Sequence, residues 1–325
     1  MLDVISLGEL LIDFVSTEKG VALADSPGFT KNPGGAPANV AVGLARLGLR
    51  SGFVGKVGND AFGSYLRDVL ARQQVDVAHL AMTEEARTTL AFVSLRQDGV
   101  PDFAFYRNPG ADMLLSEADI DESYHRAARA FHFGSISLST PSTKAATLKA
   151  VEIARASGQL VSYDPNYRPA LWPSPRVARA EMLAGFHHAD VAKVSDAEWE
   201  FITGTPDLEV GSRVILQRGV RLLVVSRGAA GCYFTDGTDS ALVPGYKVDV
   251  VDTTGAGDGF VAALLSELLH DLQEPADLDR VSSARFTEIC EFANAVGALT
   301  CTQVGAIPAL PTRAEALRFW NEHRR

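Results

Sequence analysis

The chain has 325 residues, of which 46% are hydrophobic and 22% are charged, and its formal net charge is −10 at pH 7. This length and composition predict one large soluble α/β domain, or such a domain with a small appendage. The acidic balance argues against nucleic acid or an anionic membrane surface as the main partner, so an anionic substrate would need a local cluster of cations.

Cysteine usage and the N-terminal pattern predict a cytoplasmic location. The cysteines are odd in number and lack Cys-x-x-Cys spacing, which is typical of a reducing compartment without a disulfide framework or zinc site. The N-terminal apolar segment is interrupted by Asp3, Glu9 and Asp13, unlike a signal peptide. No apolar run approaches the roughly 20 residues that cross a bilayer. The three cysteines are Cys232, Cys290 and Cys301.

The first third of the chain starts with strands and then a helix. Residues 4–8 are typical of a buried strand, and residues 10–14 continue the apolar pattern up to Asp13. The glycine-rich stretch 34–39 precedes an amphipathic helix that we expect to end near Gly48. Asp13 then follows an early strand, where it is either a ligand for hydroxyl groups or an ordinary turn residue.

Residues 88–106 differ in kind from the rest of the chain. Residues 90–95 and 103–106 read as a β-hairpin with its turn at Asp98-Gly99. A lone hairpin is marginally stable, so we expect it to form a small β-sheet lid with residues 15–33 and to pack on a partner, such as a second subunit in a homodimer. The predicted division is an α/β catalytic domain at 1–14, 34–87 and 113–325, and a lid at 15–33 and 88–112.

From residue 131 onward, predicted strands and helices alternate. Short buried strands are predicted at 131–134, 160–164, 191–194 and 222–225, with a helix at 143–156 after the first. This alternation predicts a parallel sheet covered by helices on both faces. Ligands of such sheets bind at the carboxyl ends of the strands, where Asp164 falls.

The stretch 251–260 carries the strongest functional signal. Residues 246–251 alternate like a strand, and a helical pattern begins near Phe260, with small residues between them. Backbone amides at a helix start bind anions, and the helix dipole keeps Asp258 ionised there. An anion site beside a fixed base suits phosphoryl transfer to a hydroxyl. A short dinucleotide-type turn or a plain helix start would give the same local pattern.

Two motifs resemble the signatures of the ribokinase-like, or phosphofructokinase-B, sugar kinases. They are Asp-Thr-Thr-Gly-Ala-Gly-Asp at 252–258 and Gly-Gly-x-x-Ala-Asn at 34–39. The resemblance implies a three-layer α/β/α sandwich with a mostly parallel central sheet and a small β-sheet lid. It also implies that Asp258 is the catalytic base and that the backbone of Gly255, Ala256 and Gly257 forms the anion hole with it.

The resemblance also implies the sugar-binding residues. Residues 163–168 are similar to the corresponding segment of fructokinases and 2-keto-3-deoxygluconate kinases, and residues 105–109 resemble the fructokinase lid. Asn39 has a second interpretation as a helix cap, and the two arginines have one as surface residues with packed stems. The implied sugar-binding residues are Asp13, Gly34, Gly35, Asn39, Arg107, Asp164 and Arg168.

The nucleotide and metal sites are likewise implied by the resemblance. Glu198 would order water around Mg²⁺, although a capping box with Ser195 also accounts for it. Ser195, Arg227 and Gly259 depart from the family pattern. The implied nucleotide-binding residues are Lys193, Ser226, Gly228, Gly231 and Asn294. The implied ligands of a monovalent cation, K⁺, are Asp252, Thr254, Thr300, Gln303 and Gly305.

Together these features predict an ATP-dependent sugar kinase that transfers the γ-phosphate of ATP to the 6-hydroxyl of D-fructose. Its small-molecule partners would be the sugar and ATP, with Mg²⁺ and K⁺ as cofactors. A 2-keto-3-deoxygluconate kinase or another ribokinase-like sugar kinase is the alternative within this class. A non-catalytic binding protein is a third interpretation, which an intact Asp258 and anion hole disfavour.

Overall fold

The structure is a computed structural model that describes residues 1–95 and 101–323. A nine-stranded sheet forms its centre, in the order β13-β12-β11-β10-β9-β8-β1-β4-β5. All neighbours from β11 to β5 pair in parallel, and β12 and β13 add an antiparallel edge. The strands are β1 (Val4–Leu7), β2 (Leu11–Ser16), β3 (Phe29–Gly34), β4 (Ser51–Gly58), β5 (Leu80–Thr83), β6 (Leu90–Leu95), β7 (Pro101–Tyr106), β8 (Ala130–Gly134), β9 (Leu160–Asp164), β10 (Val191–Ser195), β11 (Leu222–Ser226), β12 (Cys232–Thr235) and β13 (Ser240–Val243).

Several of the helices begin at a side chain that caps their first turn. Asp60 accepts hydrogen bonds from the backbone at the start of α2, and a capping box of Thr312 and Glu315 opens α10. The helices are α1 (Ala36–Arg46), α2 (Ala61–Arg72), α3 (Glu122–Arg126), α4 (Pro141–Ala156), α5 (Pro175–Gly185), α6 (Asp196–Thr203), α7 (Leu208–Leu216), α8 (Ala256–Asp271), α9 (Ser283–Thr300) and α10 (Arg313–His323).

Helices cover both faces of the central sheet, because its strands alternate their side chains between two cores. Val4 of β1 packs into a core shared with α1, α8 and α9, whereas its neighbour Ile5 packs into one shared with α4, α5, α6 and α7. The same alternation separates Leu160 from Val161 in β9. The predicted three-layer α/β/α sandwich with a mostly parallel sheet is therefore confirmed.

A second, smaller sheet has the strand order β3-β2-β6-β7. β6 and β7 are antiparallel, as the hairpin prediction requires, and the predicted turn at Asp98-Gly99 lies outside the described residues. This sheet begins at Leu11, so Asp13 lies within β2, opposite Asn32 of β3, and does not follow a strand as expected. We propose that the second sheet, with its connecting loops, is the lid of a two-part molecule.

The prediction of a strand at residues 246–251 is wrong. The structure has no regular secondary structure there, and Val250 and Val251 are 62% and 46% exposed. The backbone N–H of Val251 bonds to the carbonyl of Cys301 in the loop after α9. Alternating side chains make a strand only where another strand completes the ladder, and here a loop occupies that position.

Among the described residues, no helix is both long enough and apolar enough to span a membrane.

Candidate active site

The predicted anion-binding turn lies at the start of α8. Gly255 is the residue before the helix and has a φ of 79°, in the left-handed region that favours glycine. A side chain at Gly255 would begin 2.6 Å from the Cβ of Ala306, so the close approach of that loop also requires glycine. The first amides of α8 are thus fixed in place, and Asp258 lies in the same turn.

Asp258 is held by an asparagine from the other end of the chain. Asn39 Nδ2 donates to Asp258 Oδ2 at 2.8 Å, and both residues are buried. Asn39 lies in the first turn of α1, so the starts of α1 and α8 meet here. The single oxygen of the Asn39 side-chain amide, Oδ1, is buried and has no hydrogen-bond partner within residues 1–95 and 101–323. This geometry leaves one acceptor beside the carboxylate for a ligand hydroxyl.

Burial sets the acidity of Asp258. It raises the pKa of this carboxyl to about 6, aided by the negative charge of Asp164 and opposed by the hydrogen bond from Asn39 and by Lys193 and Arg168. A carboxylate with such a pKa is ionised at neutral pH and still accepts a proton readily. This is the property that a general base needs.

Asp13 and the two glycines of the first motif lie close together. A Cβ at Gly34 would lie 2.0 Å from Asp13 Oδ2, and one at Gly35, whose φ is 112°, would lie 2.3 Å from the carbonyl of Glu9. Only glycine therefore fits at either position. Burial and the charges of Asp258 and Asp252 raise the pKa of Asp13 to about 7, and Arg168 opposes them. Asp13 and Asp258 thus belong to one electrostatic cluster.

Asp164 forms a buried ion pair at the carboxyl end of β9. Lys193 Nζ lies 3.0 Å from Asp164 Oδ2, and a Cβ at Gly257 would begin 3.0 Å from the same nitrogen. The ammonium group therefore lies between a carboxylate and the anion-binding turn. Burial alone would lower the pKa of Lys193, but the charges of Asp164, Glu198 and Asp258 outweigh it and raise the pKa.

Glu198 is buried at the start of α6 and receives two backbone hydrogen bonds. The capping box predicted with Ser195 is present, with Ser195 N to Glu198 Oε1 at 2.8 Å. Glu198 Oε2 also accepts from the backbone of Tyr167 at 2.7 Å. Burial and the charge of Asp164 raise the pKa of Glu198. Each oxygen keeps a lone pair for water, which fits an indirect role beside a metal better than direct ligation.

The two predicted arginines differ in their surroundings. Arg168 is exposed, and its positive charge opposes the rise in the pKa values of both Asp13 and Asp258, so it lies within electrostatic range of these carboxyls. The side chain of Arg107 is buried, and its Nε donates to Asp112 Oδ2 at 2.7 Å. Arg168 is therefore available to a ligand, whereas the Nε of Arg107 is already held by a carboxylate.

The residues predicted to bind nucleotide divide into two groups. Ser226 ends β11, and Gly231 approaches β13 so closely that a Cβ would lie 2.0 Å from the carbonyl of Val243. Asn294 donates to that same carbonyl at 3.3 Å. We call Ser226, Gly228, Gly231 and Asn294 the nucleotide-side wall. Lys193 is not part of this wall, because it lies with Asp164 and Gly257.

The loop predicted to hold a monovalent cation closes on Asp252. One carboxylate oxygen accepts from Thr254 N at 2.9 Å and the other from Gly305 N at 2.8 Å. Gln303 is exposed, and the Thr300 hydroxyl is buried and donates to the Val296 carbonyl within α9. An anionic carboxylate surrounded by loop backbone is oxygen-donor chemistry that suits a hard cation. No group of three or more His, Cys, Asp or Glu side chains with an arrangement that could hold a metal ion occurs in the described part of the chain.

Residues 1–313 match the pfkB family carbohydrate kinases. The chain is 48% identical over 324 residues to the probable fructokinase-3 of Arabidopsis thaliana, a match that covers 99% of this chain and 92% of that protein. The chain belongs to the pfkB family.

Solved structures of other pfkB proteins have the same fold. The fructokinase of Xylella fastidiosa with bound ATP superposes with a TM-score of 0.92 at 34% identity, covering 99% of both chains. A double mutant of the Vibrio cholerae O395 fructokinase, bound to fructose, ADP and potassium, superposes with a TM-score of 0.87 at 35% identity, covering 98% of both chains.

The structure accounts for one departure from the pfkB pattern. Gly259 stands where alanine is usual, and a Cβ there would lie 2.9 Å from the Thr300 hydroxyl and 3.1 Å from Leu310. The glycine therefore provides room for α9 and the following loop to pack on α8. Ser195 retains the capping role, and nothing in the structure explains Arg227.

Sequence reasoning missed one buried charge at this pfkB site. Glu9 is 5% exposed, and its Oε1 accepts from the backbone of Ala36 at 2.9 Å, next to the glycine pair of the first motif. The sequence did contain a signal, which is a glutamate between two apolar strands. Glutamate is almost never fully buried without a partner, so a glutamate in such a position indicates a paired side chain.

Proposed function

We propose that this chain is an ATP-dependent fructokinase that phosphorylates the 6-hydroxyl of D-fructose. The observation that carries the proposal is the buried Asp258 in the anion-binding turn, fixed by Asn39 at 2.8 Å. The family membership and the fructokinase relatives support the choice of reaction and sugar.

In the proposed reaction, Asp258 accepts the proton of the attacking hydroxyl as that oxygen bonds to the γ-phosphorus, and ADP leaves. The hydrogen bond from Asn39 holds the carboxylate in one orientation, which lowers the entropic cost of reaching the reactive geometry. The amides of Gly255, Ala256 and Gly257, with that of Asp258, stabilise negative charge on the transferring phosphoryl group. Lys193 lies beneath this turn and adds a positive charge to it.

The sugar is proposed to lie between the first motif and the carboxylate cluster. Asp13 and the side-chain oxygen of Asn39 accept hydrogen bonds from sugar hydroxyls, and the backbone of Gly34 and Gly35 approaches the ring without side chains. The further proposed sugar contacts are Asp164, Arg168 and Arg107. Arg168 is exposed and has no ion-pair partner among the described residues.

ATP is proposed to lie along the nucleotide-side wall, with its phosphates directed at the start of α8. Mg²⁺, when bound, would neutralise charge on the nucleotide phosphates, and Glu198 would orient its water shell. Asp252 and Thr254, with backbone or side-chain oxygens of Thr300, Gln303 and Gly305, would hold K⁺ behind the anion-binding turn. That position suits an ion which sets the loop geometry and leaves the sugar contacts alone.

We also propose a cytoplasmic protein that forms a homodimer through the second sheet. The three cysteines are free thiols, as a reducing compartment allows. Tyr106 on the edge strand β7 is 68% exposed, which is unusual for a large aromatic side chain and suits a contact surface. Size-exclusion chromatography of the wild type and Tyr106→Ser tests the dimer.

The deciding experiment measures ADP release by the purified protein against a panel of sugars, with phosphate position assigned by NMR. We expect fructose to give the highest kcat/KM and fructose 6-phosphate to be the product. In direct competition at equal concentrations, fructose should outcompete 2-keto-3-deoxygluconate, because the site presents acceptors to hydroxyls and only one exposed arginine to a carboxylate. A preference for the acid sugar would replace the proposal with the related kinase activity.

Asp13 provides the matched test of sugar binding. Asp13→Ala should raise the KM for fructose about 10- to 100-fold, since a buried sugar hydroxyl loses its acceptor. Asp25→Ala removes an exposed carboxylate from the loop between β2 and β3 and should leave KM unchanged. Equal effects of the two substitutions would remove Asp13 from the site.

A further inference from the structure

The chain passes between the central and second sheets at four places. It leaves after β1 and returns after β3, then leaves again after β5 and returns after β7. Glu9 lies in the first crossing, Ala36 follows the second, Thr89 ends the third and Arg107 begins the fourth. Any movement of the second sheet relative to the central one must bend the chain at these crossings.

Buried polar contacts connect these crossings in pairs. Glu9 Oε1 accepts from Ala36 N at 2.9 Å, which joins the first crossing to the second. Asp112 accepts from Thr89 Oγ1 and, at 2.7 Å, from Arg107 Nε, which joins the third crossing to the fourth. Glu9, Thr89 and Asp112 are 5%, 1% and 6% exposed. The contacts therefore lie inside the molecule and are protected from water.

The two pairs meet at a cavity about large enough for a water molecule, whose lining includes Glu9, Arg107 and Asp112. Glu9 Oε2 is buried and has no hydrogen-bond partner among the described residues. An unpaired buried carboxylate oxygen is costly, so it requires a functional or structural reason. Burial and the negative charge of Asp112 raise the pKa of Glu9 to about 7, and the positive charge of Arg107 opposes this rise.

We propose that Glu9 is a positioning residue for the sugar. It fixes the position of Arg107, which directly follows the second sheet, relative to the Gly34–Gly35 turn. Its bonded oxygen fixes Ala36 directly after the glycine pair. Its second oxygen has no hydrogen-bond partner among the described residues, and Glu9 lines the same cavity as Arg107, so its charge attracts that guanidinium electrostatically. Residues that bind the sugar from the two parts of the molecule are thereby held in one geometry. This inference rests on the proposed sugar kinase function.

The test is Glu9→Gln, which keeps the size of the side chain and removes its charge. We expect the KM for fructose to rise about tenfold or more, because a charge-assisted hydrogen bond to the sugar turn is weakened. The KM for ATP should change less than twofold, since the nucleotide-side wall has no part in this network. A merely structural residue would not separate the two constants in this way.

Two further variants make the result decisive. Glu267→Gln removes another buried glutamate, one that pairs with Arg285 and Arg313 far along α8, and it should leave the KM for fructose unchanged. Thr89→Val removes the hydroxyl bond to Asp112 at the opposite end of the network and should raise the same KM. If Glu9→Gln does not fold, the KM of Thr89→Val for fructose is the deciding measurement.

A wild-type KM for fructose in soluble Glu9→Gln or soluble Thr89→Val would overturn the proposal, and so would an equal rise in the KM values for fructose and ATP. A wild-type enzyme that phosphorylates no fructose would instead refute the proposed function, so the two failures are distinguishable.

Discussion

Asn39 donates a 2.8 Å hydrogen bond to Asp258 from a position 219 residues earlier in the chain. The bond joins the first turns of α1 and α8, and both partners are buried. The proposed base therefore does not depend on its own loop alone for its orientation. Packing of α1 against α8 in one core holds the two ends of this bond together.

The first prediction concerns the base itself. Asp258→Asn should lower kcat by about 10²- to 10⁴-fold, which is the usual contribution of general-base catalysis. Sugar binding, measured by calorimetry, and the thermal midpoint should stay near the wild-type values, because the amide has the same shape as the carboxylate. Near wild-type turnover would show that another group accepts the proton.

The second prediction is a pH dependence. The base acts only when ionised, so kcat/KM for fructose should fall as the pH decreases through about 7 to 6, where Asp13 and Asp258 gain protons. Because the hydrogen bond from Asn39 favours the carboxylate, its loss in Asn39→Ala should raise the pKa of Asp258. The acidic limb of the profile should then move to higher pH.

The pKa of Asp258 also depends on the charges of Lys193, Arg168 and Asp164, which are unchanged in this variant. The direction of the pKa shift therefore reports the loss of Asn39 alone. If the acidic limb of the pH profile stays at its wild-type pH and only the maximum kcat/KM falls, Asn39 acts on the sugar alone.

The third prediction concerns the monovalent cation. Replacing K⁺ by a tetraalkylammonium ion at constant ionic strength should lower kcat, since the large ion cannot enter the loop around Asp252. The KM for fructose should change little, because the proposed ion lies behind the anion-binding turn. Asp252→Asn should reduce the response of kcat to K⁺. Equal rates in the two salts would exclude the ion from the reaction.

The fourth prediction concerns the buried ion pair. Lys193→Met leaves the charge of Asp164 unpaired and buried, so it should lower the free energy of unfolding by about 3–5 kcal/mol. Adding Asp164→Asn removes that charge and should restore part of the loss. Urea denaturation followed by circular dichroism measures both. If the double variant were no more stable than the single one, the pair would not explain the effect.

Some features of this protein follow from short stretches of sequence. The helix after the glycine-rich motif, the capping box of α6, and the alternation of strands and helices were all predicted, although α8 begins at Ala256 and not near Phe260. These features depend on neighbours within a few residues, because helix starts and side-chain alternation are local properties of the backbone. The family signatures are local in the same sense.

Other features were decided only by the tertiary structure. Residues 246–251 alternate like a strand but have no strand beside them, and Asp13 lies in the second sheet because β3 and β6 flank it. The contacts of Asn39 with Asp258, Lys193 with Asp164 and Glu9 with Ala36 join residues that are distant in sequence. Such pairings depend on how whole helices and strands pack, and burial then sets the charges of the paired groups.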